Sequence, residues 1–384
     1  MRRDFLEFFC GAGMAREGLG PGWTCRFAND FDARKCASYR LNWGADALRQ
    51  ADVATLEASD LPEARAALAW ASFPCQDLSL AGQRAGLAGG RSGVFFAFWG
   101  LVEALAAQGR APDLVMLENV QGTLTSHGGA DFAALCAALR RAGYVFGAMA
   151  VDAALFTPQS RPRLFLLAAR EGLDLPDEVR GKEPCWLHPA AVRSAAAALP
   201  PALREDFVWW RAPAPPASPR KLVDLLEDDR DVVWRSDAET VRLLAMMSET
   251  NQRKLEAARQ DAQRVGRVAG CAYRRTRPCA EGGRRQFTEA RFDGLSGCLR
   301  TPSGGSSRQF VLVVEPHRAR SRLLSAREAA RLMGLPDSYR LPARYNEAYH
   351  LMGDGVVAPV VRHFAQHLLE PILAGRENAR EAAE

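Results

Sequence analysis

Lysine is scarce in this sequence. Of the 50 basic residues, Lys35, Lys182, Lys221 and Lys254 are the only lysines, and all the others are arginines. Together with the abundance of alanine, this ratio indicates a biased coding composition more than a selection for arginine chemistry. The formal net charge of +5 is therefore weak support for an acidic partner such as a nucleic acid.

The sequence also lacks CxxC pairs, long apolar runs and internal repeats. Its nine cysteines are scattered and odd in number, which favours free thiols in a reducing compartment over a disulfide framework or a zinc site. No apolar run reaches the ~18 residues of a membrane helix, and Asp4 and Glu7 interrupt the region where a signal peptide would be apolar. We therefore expect a cytoplasmic protein with no membrane partner, associated with the nucleoid if it binds DNA.

What the sequence does contain is an alternation of short apolar strands and helical segments from Asp4 to about Gly172. This pattern is typical of the α/β class with a doubly wound, mostly parallel, Rossmann-like sheet. The length of 384 residues fits two domains. We predict a first domain over 1–172, a smaller second domain over 173–325 that starts with a proline-rich linker, and a C-terminal segment over 326–384 whose helix returns to the first domain.

Positive charge is concentrated in the predicted second domain. Between Gln252 and Arg308, thirteen basic and five acidic residues give a local balance of +8, which exceeds the charge of the whole chain. Arginines here could contact phosphates and base edges, because arginine binds guanine bidentately. Each could equally be a solvated residue that reflects composition. The candidates are Arg274, Arg275, Arg284 and Arg285.

The stretch Thr301–Arg308 is rich in hydroxyl groups and glycine. Such a loop is suited to a phosphate backbone, which Ser306 and Arg308 could contact. An ordinary turn would have a similar composition.

Glycines follow the first predicted strand, at Gly11 and Gly13. Glycine at a strand-to-helix turn permits positive backbone angles and lets a ligand approach the main chain. An arginine replaces the third glycine of a dinucleotide fingerprint, which disfavours a pyrophosphate. Because Asp30 and Asp52 end two further candidate elements, we predict a nucleoside-bearing cofactor without pyrophosphate, such as S-adenosylmethionine. The alternative is a tight turn with two solvated carboxylates.

Cys75 follows Phe73 and Pro74 at the end of another predicted strand, where open sheets build their sites. It opens a polar, glycine-rich loop, which favours a nucleophile over an inert buried thiol. A free thiol has a pKa of about 8.5, so a neighbouring group must activate it. Arg161 or Arg163 could do so. Two arginines two apart on an extended segment point the same way, so we expect both at one site.

Glu118 and Asn119 follow a further apolar strand, at the same predicted sheet edge as Cys75. An unpaired glutamate is costly to bury, so either a cation meets Glu118 or its carboxyl is held protonated as an acid. A loop glutamate at the surface is the third possibility.

Together these motifs give the chain a family resemblance. It resembles the DNA (cytosine-5) methyltransferases, because Phe-x-Gly-x-Gly, Pro-Cys-Gln, Glu-Asn-Val and Gln-x-Arg-x-Arg occur in that family's order and approximate spacing. The resemblance continues in Arg327–Pro336 and Gly353–Val357, and covers roughly 4–170 and 295–373. It implies that 1–172 is the catalytic, S-adenosylmethionine-binding domain and that 173–325 is a target-recognition domain. Six motifs in register are hard to reconcile with chance.

The resemblance implies an enzyme that transfers a methyl group from S-adenosylmethionine to C5 of a cytosine flipped out of duplex DNA. Cys75 would add to C6 as the nucleophile, and Glu118 would protonate or hydrogen-bond N3. Arg163 would contact O2, and Arg161 would support the cysteine and the site.

The resemblance also implies a cofactor pocket. Its residues would be Phe9, Gly11, Gly13, Asp30, Phe31, Asp52, Val53, Pro74, Phe95, Asp354 and Val356. Asp354 departs from the family, which commonly has asparagine there, and adds a negative charge where the cofactor carboxylate is expected. The residues expected to contact DNA are Gln76, Asn119, Gln159, Arg274, Arg275, Arg284, Arg285, Ser306 and Arg308.

A bacterial restriction-modification or orphan enzyme is the leading hypothesis. We expect a monomer that acts separately from any cognate restriction endonuclease. A relative that methylates cytosine in transfer RNA shares the motifs, but the insertion between Arg170 and Cys298 favours DNA. A catalytically silent DNA-binding relative is disfavoured by the intact catalytic residues. A nicotinamide-dependent oxidoreductase is disfavoured, because Arg16 replaces the third glycine of the turn and hydride transfer requires no cysteine at position 75.

Overall fold

The computed structural model describes residues 3–74, 93–216, 220–278, 282–301 and 308–381, with the last six as backbone only. The predicted site residues Cys75, Gln76 and Ser306 lie outside the described residues. Two compact units are present. Unit 1 comprises Met1–Asp152, Pro162–Pro215 and Val356–Glu384, and unit 2 comprises Ala153–Arg161 and Pro216–Gly355. These limits follow compactness alone, and the domain boundaries after residues 172 and 325 stay predictions.

Two larger sheets and one small one are present. The strands are β1 (Arg3–Phe8), β2 (Trp23–Asp30), β3 (Leu48–Gln50), β4 (Leu68–Ala71), β5 (Leu114–Asn119), β6 (Tyr144–Asp152), β7 (Pro162–Arg170), β8 (Arg180–Gly181), β9 (Trp209–Trp210), β10 (Val268–Pro278), β11 (Arg284–Arg291), β12 (Gln309–Glu315) and β13 (Arg318–Leu323).

The helices belong to both units. They are α1 (Met14–Leu19), α2 (Ala33–Trp43), α3 (Val94–Ala107), α4 (Ala130–Arg141), α5 (Ala190–Ala197), α6 (Pro201–Glu205), α7 (Asp237–Ala245), α8 (Glu249–Val265), α9 (Ala326–Leu332), α10 (Tyr345–Asp354), α11 (Ala358–Phe364) and α12 (Glu370–Glu381). Within the described residues, no helix combines the length and apolar character needed to cross a membrane.

Unit 1 is built on a seven-stranded sheet in the order β3-β2-β1-β4-β5-β7-β6. The first five strands of that order pair in parallel, and β7 is antiparallel to both β5 and β6. All six residues of β5 are buried, as is typical of a central parallel strand covered on both faces. The predicted doubly wound, mostly parallel sheet is therefore confirmed.

The sheet topology determines where polar residues meet in unit 1. Parallel strands β1, β2, β4 and β5 end at one edge, and the antiparallel strand β7 begins there at Pro162. Helix α2 starts beside this edge because the Asp32 side chain accepts the N–H groups of Arg34 and Lys35. In the core, Phe95 and Trp99 of α3 stack with ring centroids 5.9 Å apart. We call this edge of the sheet the carboxyl edge.

Unit 2 contains a four-stranded antiparallel sheet in the order β11-β10-β12-β13. Its core forms where the apolar side of α8 packs on the sheet, through residues such as Leu255, Ala258 and Leu312. Helix α9 begins with a capping box, in which Ser325 and Glu328 satisfy each other's backbone N–H groups. We call β10–β13 the recognition sheet, after the predicted role of this region.

Candidate active site

The turn after β1 and the end of β2 are joined by a buried carboxylate. Asp30 Oδ2 accepts the N–H of Gly11 at 2.9 Å, and Oδ1 accepts the N–H of Asp32 at 2.9 Å. Burial raises the pKa of the Asp30 carboxyl, while the two backbone donors oppose that rise. Phe9 and Gly11 both have positive φ angles, of 55° and 56°. The glycine turn and the aspartate at the end of β2, both predicted from the sequence, are therefore in direct contact through Gly11 and Asp30.

Gly13 is required by close packing as well as by its φ of 80°. A Cβ at this position would lie 2.4 Å from the indole nitrogen of Trp43. That nitrogen donates to the carbonyl of Ala12, and the Arg16 guanidinium lies 4.7 Å from the centre of the Trp43 ring. Arg16, which stands where a dinucleotide fingerprint has its third glycine, therefore packs against α2 and holds the turn next to that helix.

Exposed groups flank this turn. The Phe31 ring is 68% exposed although it is a large aromatic. Asp52 is exposed and accepts the N–H of Ala54, which caps a short 3₁₀ turn beginning at Val53. Because β1, β2 and β3 are neighbours in the sheet, these residues lie on adjacent strand ends.

At the end of β5, Glu118 meets a cation. Its side chain is 7% exposed, and its Oε1 lies 3.2 Å from Nε of Arg163 near the start of β7. The structure therefore shows the first of the three alternatives for this glutamate and excludes a surface position. Two of the predicted catalytic groups are adjacent at the carboxyl edge.

Asn119 connects two strand ends. Its Nδ2 donates to the carbonyl of Phe73 at 3.2 Å, and its Oδ1 accepts the N–H of Val120 at 2.8 Å. This residue is buried and braces the two strand ends, and its predicted contact with DNA stays a prediction. Pro74 is exposed at the same edge. Phe95 is fully buried in the aromatic core, and its contact with a cofactor stays a prediction.

Arg161 and Gln159 are engaged by backbone groups of unit 2. Both precede β7 and belong to unit 2, and both side chains are almost fully buried. Arg161 donates to the carbonyls of Leu299, Gly353 and Gly355. The side-chain amide of Gln159 also hydrogen-bonds to the backbone: it donates to the carbonyl of Leu332 and accepts the N–H of Leu299. The predicted support of the cysteine by Arg161 and the predicted contact of Gln159 with DNA stay predictions.

The segment Gly353–Val356 is divided between the units, with Asp354 in unit 2 and Val356 in unit 1. The Asp354 carboxylate accepts the hydroxyl of Thr301. Val356 is buried. The predicted cofactor contacts of both residues stay predictions.

The predicted DNA-binding arginines lie on the recognition sheet. In the β10–β11 register, Arg275 pairs with Phe287 and Arg274 with Thr288. Side chains alternate between the faces of a sheet, so Arg275 and Arg285 share one face while Arg274 and Arg284 share the other. Arg308 precedes β12 and donates to Asn346 at 2.7 Å. The four sheet arginines are therefore not on one surface.

The buried carboxyl group of Glu7 was not predicted from the sequence to be functional. Glu7 is the last residue but one of β1 and is 1% exposed. Burial raises the pKa of its carboxyl to about 8, and the nearby Arg16 limits that rise. The available signal was an acidic residue within an apolar strand directly before the glycine turn.

The fold and the carboxyl-edge site define a doubly wound α/β protein of the methyltransferase type. Its sequence matches the model of the C-5 cytosine-specific DNA methylase family over residues 3–370. The chain therefore belongs to this family of DNA (cytosine-5) methyltransferases, and the resemblance seen in the six motifs is confirmed.

Several bacterial relatives are similar to the chain. Type II methyltransferase M.NlaX of Neisseria lactamica is 24% identical over 94% of this chain and 95% of its own length. M.HhaI of Haemophilus parahaemolyticus is 24% identical over 95% and 93%. The match to M.BsuFI of Bacillus subtilis is 29% identical but spans 46% of this chain and 42% of that protein.

Solved structures share the fold. The Dnmt2 methyltransferase of S. pombe has a TM-score of 0.59 and 19% identity, with coverage of 97% of this chain and 99% of that chain. A putative DNA modification methyltransferase from an E. coli prophage has a TM-score of 0.56 and 17% identity, with coverage of 98% and 99%.

Proposed function

We propose that this chain methylates C5 of a cytosine that is flipped out of duplex DNA at a specific sequence. The observation that carries the proposal, beyond family membership, is the ion pair of Glu118 and Arg163 at the carboxyl edge. A carboxyl group and a guanidinium 3.2 Å apart offer both kinds of group that a pyrimidine ring needs at N3 and O2.

We propose S-adenosylmethionine as the cofactor, held at the ends of β1, β2 and β3. The residues present are suited to it. A Cβ at Gly11 would meet no atom within 4 Å, so a ligand can approach the main chain there. Each oxygen of Asp30 accepts one N–H and keeps capacity for a ribose hydroxyl, and Phe31 offers an exposed ring to a base. When bound, this cofactor supplies a methyl group on a positively charged sulfur.

The chain's own residues would activate the base. The Cys75 thiolate would form a bond to C6 of cytosine, which makes C5 nucleophilic. Glu118 would hold a proton at N3 as negative charge accumulates in the ring, and Arg163 would donate to O2. After methylation, a water molecule acting as base would take the proton from C5. The electron pair of that C–H bond would re-form the double bond between C5 and C6, and the bond between C6 and Cys75 would break to release the thiolate.

We also propose a biological setting. The Type II names of the relatives support a restriction-modification or orphan methyltransferase that works as a monomer, with any cognate endonuclease acting separately. Its DNA substrate would place it in the cytoplasm at the nucleoid.

Transfer of tritium from methyl-labelled S-adenosylmethionine tests the proposal. The purified protein is incubated with duplex DNA, with transfer RNA and without nucleic acid, and the labelled DNA is then sequenced after bisulfite treatment. We expect label in DNA only, at cytosines within one sequence. Label confined to transfer RNA would establish the alternative substrate, and DNA binding without any transfer would establish a silent relative.

A further inference from the structure

The hairpin of β10 and β11 has one covered and one open face. Directly paired residues point to the same face of a sheet, and the paired Ala272 and Ala290 are buried in the core that the sheet forms with α8. The opposite face carries the pairs Tyr273–Glu289, Arg275–Phe287 and Arg277–Arg285. All six of these residues are half-buried or exposed. We call this second side of the hairpin the open face.

Arg277 is held on the open face by one carboxylate. Its Nε and Nη2 donate to Glu289 Oε1 at 2.9 and 2.8 Å. The side chain of Arg277 is 59% exposed and that of Glu289 is 25% exposed. An ion pair this close to solvent contributes little to stability. Its main effect is therefore to fix the orientation of the Arg277 guanidinium.

The guanidinium of Arg277 keeps a second edge for a ligand. Of its five N–H donors, the two on Nη1 and one on Nη2 have no partner among the residues that the structure describes. One donor from each nitrogen lies on the edge away from Glu289, and the two are parallel. Such a pair matches the O6 and N7 acceptors of guanine. Because Glu289 occupies the other edge, Arg277 presents this pair in one orientation.

The other two arginines of the open face are held by aromatic rings. The Arg275 guanidinium lies 4.7 Å from the centre of the Tyr273 ring, and its Nε is 3.8 Å from Glu289 Oε2, which is beyond hydrogen-bond distance. The Arg285 guanidinium lies 5.8 Å from the centre of the Phe287 ring. Cation–π contacts of this kind restrain the plane of a guanidinium less than two hydrogen bonds do. Arg277 is therefore the best oriented of the three.

We propose that Arg277 is a specificity-determining residue that contacts a guanine of the recognised sequence, and that Glu289 is its positioning residue. The inference rests on the proposed function. The major groove of DNA admits a two-stranded β-ribbon, and guanine presents O6 and N7 side by side in that groove. Arg277 is not one of the four sheet arginines that the sequence indicated, so the structure adds it to the recognition region.

Replacement of single base pairs tests the proposal. One duplex carries the sequence that the wild-type protein methylates, and each of the others has one base pair of that sequence replaced. Fluorescence anisotropy gives the Kd of every duplex. We expect Arg277→Ala to raise the Kd of the unchanged duplex about tenfold and to lose discrimination at one G·C pair only. Glu289→Gln keeps the charge of Arg277 but frees its orientation, and should weaken discrimination at that same pair about threefold.

Salt dependence separates a base contact from a phosphate contact. Each phosphate contact contributes about 0.9 to the slope of log Kd against log salt concentration. We expect Arg277→Ala to keep the wild-type slope. Arg253→Ala is the matched control, because Arg253 is also a surface arginine paired with a glutamate, Glu249, but lies on α8, which covers the other face of the sheet. It should change neither the Kd values nor the slope.

Uniform weakening of all duplexes with a lower salt slope would overturn the proposal, because Arg277 would then contact a phosphate. Loss of discrimination at a different base pair in Glu289→Gln would overturn the positioning role, since Glu289 would then contact a base itself. A wild-type protein that methylates no sequence, or binds all duplexes equally, would contradict the proposed function and the inference together. Wild-type discrimination that Arg277→Ala retains at every base pair would contradict the inference alone.

Discussion

Arg163 Nε lies 3.2 Å from Glu118 Oε1, and this ion pair joins the start of strand β7 to the end of β5 at the carboxyl edge. The other end of β7 carries a similar pair, in which Arg170 Nη2 lies 3.1 Å from the buried Asp113. The strand therefore holds two arginine–carboxylate pairs, one at the proposed active site and one away from it.

These pairs make a matched test of catalysis. We expect Arg163→Ala to lose about 2–4 kcal/mol of stability, because it removes the arginine paired with a buried carboxylate. Arg170→Ala should lose less, because Asp113 keeps Arg65, whose Nη1 lies 3.8 Å from Oδ1. Only Arg163→Ala should also lose activity, by about 10²–10³-fold in single-turnover rate, since a donor to the charge developing on the base is removed. Urea unfolding and methyl-transfer kinetics measure the two effects. Equal rates in the two variants would refute the role given to Arg163.

The exposed ring of Phe31 provides a test of the cofactor site. We expect Phe31→Ala to raise the Kd for S-adenosylmethionine about tenfold, because aromatic stacking on a base contributes ~1–3 kcal/mol. Stability should change by less than about 0.5 kcal/mol, because the ring is at the surface.

Isothermal titration calorimetry measures this affinity. Leu41→Ala is the control, because Leu41 is also an exposed apolar residue, on the neighbouring helix α2, and has no proposed role. An unchanged affinity in Phe31→Ala would place the adenine elsewhere.

Two helical glycines should respond in opposite directions to the same substitution. Gly353→Ala places a Cβ 2.7 Å from the backbone of Arg300 and Thr301, so we expect a loss of about 1–3 kcal/mol from overpacking. Gly100→Ala, in α3, meets no atom within 4 Å and should gain about 0.5–1 kcal/mol from helix propensity. Urea midpoints at one pH measure both, and a stabilised Gly353→Ala would contradict the close approach of the two segments.

Glu7 makes stability depend on pH. Its folded-state pKa of about 8 exceeds the ordinary value of 4.5, so the folded protein binds this proton more tightly than the unfolded chain does. The resulting stabilisation is fully present below pH 4.5 and is lost as the pH rises through 8, by up to about 5 kcal/mol.

Glu7→Gln should remove this dependence while keeping the shape of the side chain. We expect the wild-type free energy of unfolding to fall more steeply between pH 5 and 8 than that of the variant. Urea titrations at four pH values give both slopes. Parallel slopes would show that Glu7 is not held protonated.

The sequence predicted the first unit well because its strands are short, apolar and separated by helices. Strand β3 was anticipated only as an unspecified element that ends at Asp52, since its three residues Leu48–Gln50 are mostly exposed and carry no apolar pattern. The recognition sheet was not foreseen as a sheet either, because arginines within β10 and β11 obscure the period-two pattern that indicates a strand.

For the site, the sequence anticipated which residues lie at strand ends, but it did not anticipate the contacts that distant segments make. Asp30 and Glu118 lie at strand ends, and both were placed correctly at the carboxyl edge. Arg161 has partners 138 and 192 residues away in the chain. No local spacing reveals such contacts, and the shared site expected for Arg161 and Arg163 stays a prediction.

Cys75 is the centre of the proposed chemistry, and a covalent trap tests it most directly. Duplex DNA with 5-fluorocytosine at the methylated position is incubated with the protein and S-adenosylmethionine, then separated under denaturing conditions. Fluorine cannot leave C5 as a proton does, so elimination is blocked and a denaturant-stable complex should accumulate with the wild-type protein and be lost in Cys75→Ala. Persistence of that complex in Cys75→Ala would contradict the assignment of Cys75 as the nucleophile.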